Sequence, residues 1–206
     1  MRKVFLAMTM LGKVMTTKYI SDDYDLGDAR FDFPLSYIAK KNIKENDQVV
    51  FVTALGDGEV EKQNYEKFKD EIVAISKLKN VEPQFVKVDA GSEFDSLTFN
   101  LFFRKIFDLL QEDDRIYMDI TFGMKPYTLS MFIAMAFAAK VSENIHVEEV
   151  VYSQKYTGAG ADGVSTSKLY DLSSIFYLNS IGGNLQTGKR KDAEQLLDFL
   201  IGKSEG

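Results

Sequence analysis

The sequence predicts an α/β fold in which a mostly parallel sheet is flanked by helices and followed by a C-terminal hairpin and short helices. Two observations predict it. Short β-rich runs alternate with longer stretches whose apolar residues recur at helical spacing, the pattern of strands joined through helices into a parallel sheet. Each of the first four runs also leads into a polar turn carrying a glycine, where the backbone can bend sharply or approach a ligand.

The strands are read at residues 4–8, 49–53, 84–88, 116–120 and 147–152. Between the second and third, Tyr65, Phe68, Ile72, Ile75 and Leu78 keep helical spacing, with lysines and glutamates on the other face. Between the third and fourth, Phe99, Phe102, Phe103, Ile106 and Leu110 do the same, with Ser92 and Asp95 as a capping pair at the start. Both stripes are read as core. Residues 126–139 are apolar on nearly every side but fall short of the ~20 residues a membrane span needs. They predict a helix buried on two faces, with a dimer partner as the second surface. After the fifth strand, a glycine-rich loop at 157–164 and a β-like stretch at 167–170 predict a long antiparallel hairpin at the sheet edge. Short helices are expected at 172–181 and 192–201, separated by the turn Gly182-Gly183-Asn184 and by Lys189-Arg190-Lys191, read as a solvated face. The expected division is a main domain at 1–181 and a short helical appendage or linker stub at 182–206.

Composition excludes several chemistries. The chain has no cysteine, so disulfides, thiolate nucleophiles and Cys-based zinc sites are excluded. Its single histidine, His146, has no second histidine to form a ligand pair, so no metal and no cofactor are expected. His146 opens the fifth strand, at the end of the sheet opposite the expected site. The net charge of −6 argues against a duplex nucleic-acid partner, which usually needs a basic face. Met1-Arg2-Lys3 runs directly into the first strand, which predicts a cytoplasmic protein with no leader and no membrane partner.

Ligands of open parallel sheets bind beyond the carboxyl ends of the strands. Those exits read Thr9-Met10-Leu11-Gly12-Lys13, then Ala54-Leu55-Gly56, then Gly91-Ser92, then Thr121-Phe122-Gly123-Met124-Lys125. The fourth has the makings of an anion site. Gly123 allows a tight turn, Pro126 suits the first helical position, Thr121 supplies a hydroxyl and Lys125 a charge beside unpaired helix N–H groups. Asp119 is read as a hydrogen-bond acceptor for nearby backbone or hydroxyl groups.

The run Asp119-Ile120-Thr121-Phe122-Gly123 resembles the Asp-x-Thr-His-Gly signature of a subgroup of the CRISPR-associated Rossmann-fold (CARF) family, and Lys125 falls where that family places an arginine or lysine. Gly12 and Thr17-Lys18-Tyr19 resemble its glycine-bearing turn and Thr-x-Tyr after the first strand. Phe122 replaces the signature histidine, and Met10 stands where glycine is frequent. The resemblance covers about residues 1–181. It implies a Rossmann-like homodimer that binds a cyclic oligoadenylate, cyclic tetra-adenylate first, in type III CRISPR antiviral signalling. It also implies an effector, fused or separate. The ligand-binding residues expected are Thr9, Met10, Leu11, Gly12 and Lys13, with Thr121, Phe122, Gly123, Met124 and Lys125. Adenine specificity is placed by position at Ala54, Leu55, Gly56, Gly91 and Ser92.

The alternative is a metal-independent ring nuclease, in which a ribose 2′-hydroxyl attacks the adjoining phosphate, with Lys125 and Thr9 as the candidate catalytic residues. An unrelated nucleotide-binding enzyme is disfavoured, since no GxGxxG follows the first strand and the sequence has no P-loop.

Overall fold

A computed structural model describes residues 1–28, 30–91, 93–155, 165–184 and 190–201. The chain begins with β1 (Arg2–Met8), β2 (Thr17–Ile20), β3 (Arg30–Phe31), α1 (Pro34–Asn42) and β4 (Gln48–Leu55). It continues through α2 (Glu59–Lys77), β5 (Pro83–Asp89), α3 (Ser96–Leu109), β6 (Arg115–Asp119) and α4 (Lys125–Val141). The hairpin strands β7 (His146–Lys155) and β8 (Ser165–Asp171) precede α5 (Ser173–Asn184) and α6 (Arg190–Ile201). Two compact units result: Met1–Ser173 carries the sheet and α1–α4, and Ser174–Gly206 carries α6 and all but the first residue of α5.

The sheet order is β3-β2-β8-β7-β6-β1-β4-β5, and only β2–β3 and β7–β8 pair antiparallel. The five strands read from sequence form its parallel body as a Rossmann-like doubly wound sheet. Phe5, Phe51 and Tyr117 explain the register there. Directly opposed across β4, β1 and β6, they stack with centroids 4.8 and 4.7 Å apart, and Phe85 of β5 continues the row at 5.7 Å. Cross-strand aromatic pairs are the sheet's unit of stabilisation, so this row ties four strands into one register.

Because β1 and β4 are central, both of their faces are buried, as their unbroken apolar runs require. Phe5, Phe51 and Tyr117 share one core cluster with Leu35, Ile38 and Ala39 of α1 and Phe68, Ile72 and Ile75 of α2. The alternate residues Val4 and Leu6 point to the opposite side. Helices α3 and α4 pack on each other, with Tyr127 of α4 buried edge-on against Phe99 and Phe102.

Several boundaries differ from the sequence reading. The hairpin is not at the sheet edge, because β2 pairs with β8 and β3 with β2 outside it. Strand β4 runs on to Leu55, since Ala54 and Leu55 pair with Val88 and Asp89 of β5. Helix α3 is capped by Asp95, whose Oδ1 accepts the Thr98 N–H at 2.7 Å, while Ser92 lies outside the described residues. Leu78 is the C-cap of α2 and is exposed, not core. Lys125 takes the first position of α4 and Pro126 the second. Helix α5 continues through Gly182, Gly183 and Asn184 instead of turning there. The loop at 157–164 and Lys189 also lie outside the described residues; Arg190 opens α6 and pairs with the Glu194 carboxylate at 2.7 Å, four residues on. His146 does open β7, beside Arg115 at the amino end of β6.

Candidate functional site

Within the parallel body, β4 and β5 lie on one side of β1, and β6 and β7, which follow them in the chain, lie on the other. The carboxyl ends of β1 and β6 therefore flank the point where strand order reverses, which is where open α/β sheets leave a crevice. A cleft of about 230 Å³ opens there. Met10, Lys13, Thr121 and Phe122 reach it from the exits of β1 and β6. Met15, Thr17 and Tyr19 come from β2 and its approach, Ser153, Ser165 and Ser167 from the hairpin, and Asp32 from the end of β3. All converge because β7 ends where β8 and β2 begin. Among the described residues its lining is hydroxyl-rich, with one lysine and one carboxylate.

Gly123 shapes the turn that follows β6. It holds φ at +90°, and a Cβ there would lie 2.5 Å from Met8, so only glycine lets the β6–α4 turn approach β1. Thr121 is held by its neighbours: its Oγ1 accepts the Ser153 N–H at 2.8 Å, and its own N–H donates to Asp119 Oδ1 at 2.8 Å. The β1 exit is clamped by Asn64 of α2, whose buried side-chain amide donates to the Met10 and Gly12 carbonyls at 2.8 and 2.7 Å. Sequence reading gave Asn64 no role, since its partners lie more than fifty residues away.

Helix α1 ends at the same edge. Its N-cap, Phe33, offers no side-chain acceptor, and carboxylates from elsewhere meet backbone donors at and just before its first turn. Glu71 of α2 accepts the Asp32 N–H at 2.8 Å, the Phe33 N–H and the Ser36 hydroxyl, and Asp119 accepts the Leu35 N–H. Burial pushes the Asp119 carboxyl up to about 6 and raises that of Glu71. Tyr19 lies close to both. Burial, and then Asp119, Glu71 and Asp32, hold its hydroxyl protonated well above the ordinary range. That hydroxyl has no hydrogen-bond partner among the described residues.

The expected residues separate into groups. Met10, Lys13, Thr121 and Phe122 share the cleft, and Gly123 follows Phe122 without lining it. Leu11 is exposed and Gly12 lies in the clamped turn, but neither lines the cleft. Thr9 is buried and does not line the cleft, its N–H donating to the Ala54 carbonyl at 2.9 Å and its hydroxyl turned the same way at 3.4 Å. It borders a narrow void shared with Thr53, Asp119 and Phe122. Ala54 and Leu55 are buried strand residues, and Gly56 and Gly91 belong to the β4 and β5 exits across β1; none of the four lines the cleft. The Gly56 N–H already donates to Glu61 at 2.9 Å and the Gly91 N–H to Asp89 at 2.7 Å.

Met124 is the N-cap of α4, and its carbonyl accepts the Tyr127 and Thr128 N–H groups at 3.0 and 3.1 Å. Pro126 has no N–H, so Lys125 supplies the free peptide donor of this first turn, together with an exposed ammonium that does not itself line the cleft. Tyr19, Asp32, Ser153, Ser165 and Ser167 were not among the expected ligand residues, although Thr17-Lys18-Tyr19 had been singled out as a motif.

No group of three or more His, Asp or Glu suited to a metal ion occurs among the described residues. No described helix is long and apolar enough to cross a membrane. No curated protein matches the sequence. The model of one family, described as the Csa3 CRISPR-associated Rossmann-like domain, matches residues 30–156. That span carries α1, the Asp119–Gly123 turn and the parallel strands from β4 to β7, and it exceeds half of the chain. With the strand order and the crevice at its reversal, the match makes this chain a member of the Csa3 CRISPR-associated Rossmann-like domain family.

Proposed function

We propose that the chain senses a cyclic oligoadenylate, cyclic tetra-adenylate first, in type III CRISPR antiviral signalling, binding the ring across a homodimer and passing the signal to a fused or separate effector. The observation that supports this most is the cleft at the strand-order reversal, lined by the β1 and β6 exits and by hydroxyls able to donate to phosphate oxygens. Its volume of about 230 Å³ falls below the ~300–1,000 Å³ that engulfs a drug-sized molecule. One cleft accordingly holds a single nucleoside, and a ring of four needs further surface. A second copy supplies it under two-fold symmetry, since a ring with its own two-fold axis can lie on the axis of an isologous dimer.

Helix α4 offers the pairing surface. Leu129, Ile133, Phe137 and Val141 recur every fourth residue and are all exposed in the single chain. A contiguous apolar stripe of this kind marks an interaction face. Its N-terminal end carries Lys125, which pairing through the stripe brings toward the ring phosphates. The ring-nuclease alternative draws no support from the placement of Thr9 and Lys125, neither of which lines the cleft.

The test is thermal unfolding with cyclic tetra-adenylate, cyclic hexa-adenylate, linear tri-adenylate, ATP and NAD, without metal, followed by chromatography of the nucleotide. A ligand that binds only the folded state raises its melting temperature by mass action. The expected result is a rise with cyclic tetra-adenylate, recovered intact. Equal rises with ATP or NAD overturn the reading in favour of a generic nucleotide site, and recovery of linear products moves it to ring cleavage.

A further inference from the structure

The cleft contains an acceptor that phosphate recognition does not use. Among the described residues, Asp32 is the one carboxylate lining it. Its position is fixed twice over: its N–H donates to Glu71 at 2.8 Å, and its Oδ1 accepts the Thr16 hydroxyl at 2.6 Å. That leaves Oδ2 available. Beside it stands Tyr19, 4% exposed, with a hydroxyl that has no partner among the described residues although the side chain lines the cleft. A buried tyrosine hydroxyl ordinarily finds an acceptor. Phe122 presents an aromatic ring to the same space, and Met10 and Met15 add apolar surface. Asp32 lines this corner and Asp119 and Glu71 also lie near Tyr19, so a phosphate placed there faces the Asp32 carboxylate and is repelled. The group this corner accepts is flat, uncharged and carries an N–H donor next to an acceptor.

We propose that Asp32 and Tyr19 read the Watson–Crick edge of a 6-aminopurine, the Asp32 carboxylate accepting from the exocyclic amine and the Tyr19 hydroxyl donating to ring N1. This rests on the cyclic oligoadenylate reading and moves base selection away from the β4 and β5 exits. Phe122, where the related signature has histidine, provides the face on which the base stacks. The phosphates then lie toward Lys13 and Thr121. Hypoxanthine or guanine in the same place sets a carbonyl oxygen against the Asp32 carboxylate, while the Tyr19 hydroxyl can turn to accept the ring N1–H. Specificity therefore comes from repulsion as well as attraction.

The experiment titrates wild type, Asp32→Asn and Tyr19→Phe with cyclic tetra-adenylate and with cyclic tetra-inosinate, which keeps ring and phosphates but replaces the amine by a carbonyl. Circular dichroism checks that each variant is folded. Wild type is expected to prefer the adenylate ring by roughly 10- to 100-fold, the discrimination of one bidentate base contact. Asp32→Asn, whose carboxamide can donate to the carbonyl, should erase or invert that preference. Tyr19→Phe should weaken adenylate binding several-fold. If the variants bind the adenylate ring with the full wild-type preference, the base-reading pair is wrong and ring sensing stands. If wild type binds neither ring, ring sensing itself falls, and base reading with it.

Discussion

Gly123 and Met8 approach so closely that a methyl group on Gly123 would sit 2.5 Å from both Cβ and Sδ of Met8. The Sδ can swing aside, but the Cβ is fixed to the β1 backbone. Gly123→Ala thus combines a left-handed backbone with overpacking, and should cost about 2–4 kcal/mol in urea unfolding. Ring binding should fall with it, because the displaced turn carries Thr121 and Phe122. An unchanged urea midpoint would show that the two strand exits are not locked together here.

Asp119 gives the chain an inverted pH response. Burial raises its folded-state value from 3.8 to about 6, so the folded protein binds the proton more tightly than the unfolded chain. The stability this contributes is complete below about pH 4 and is lost as pH rises through about 6. Between about pH 5 and about pH 7.5, wild type should lose on the order of 1–2 kcal/mol relative to Asp119→Asn, which cannot titrate. Urea midpoints of both proteins at the two pH values measure this, and a carboxyl-carbon NMR titration locates the midpoint directly.

Arg2 meets Asp114 through Nη1, at 2.7 and 2.6 Å from its two oxygens, while the same carboxylate accepts the Gln111 N–H at 2.8 Å. Asp114 is fully buried. Arg2→Ala leaves that charge without its cation and should cost about 3–5 kcal/mol, far above a surface pair. Differential scanning calorimetry would register the loss. Ligand affinity of the remaining folded protein should be unchanged, because this pair lies at the amino end of β1.

Ile133→Asp puts a charge in the middle of the exposed apolar stripe of α4 without touching the buried face formed by Tyr127, Met131, Ala134 and Met135. The expected outcome is a folded monomer by light scattering that has lost ring affinity. A dimer of unchanged strength would place the pairing surface elsewhere.

Lys13→Ala and Lys125→Ala should each weaken cyclic tetra-adenylate binding by roughly 10- to 200-fold, the loss of one charge-assisted hydrogen bond in each half of the assembly. Calorimetric titration provides the affinities, and urea midpoints should not move. Loss with Lys13→Ala alone would confine the ring to the cleft and release the α4 N-terminus from the site.

The parallel body of the sheet was legible because β4, β6 and β7 are runs of β-branched and aromatic residues separated by periodic helices. Residues 14–47 were not. Strand β3 is two residues long and β2 four, too short to show alternation, and α1 starts without a capping side chain because Glu71 and Asp119 take its donors from a distance. The site followed the same division. Met10, Lys13, Thr121 and Phe122 sit at exits that any reading of parallel strands examines. Asp32, Ser153 and Ser165 depend on β2 pairing with β8, a contact between segments nearly 150 residues apart that no local pattern announces.

Strands β2 and β3, laid outside the hairpin, also decide how copies of this chain can meet. Without them β8 would present seven residues of unpaired backbone, a template for pairing with another chain. With them the sheet stops at the two residues of β3 on one side. On the other it stops at β5, which begins with Pro83 and carries the charged Lys87 and Asp89 near its end. Both margins are poor at propagating a ladder. Growth by strand addition, the route that leads to open-ended fibres, is blunted at each end.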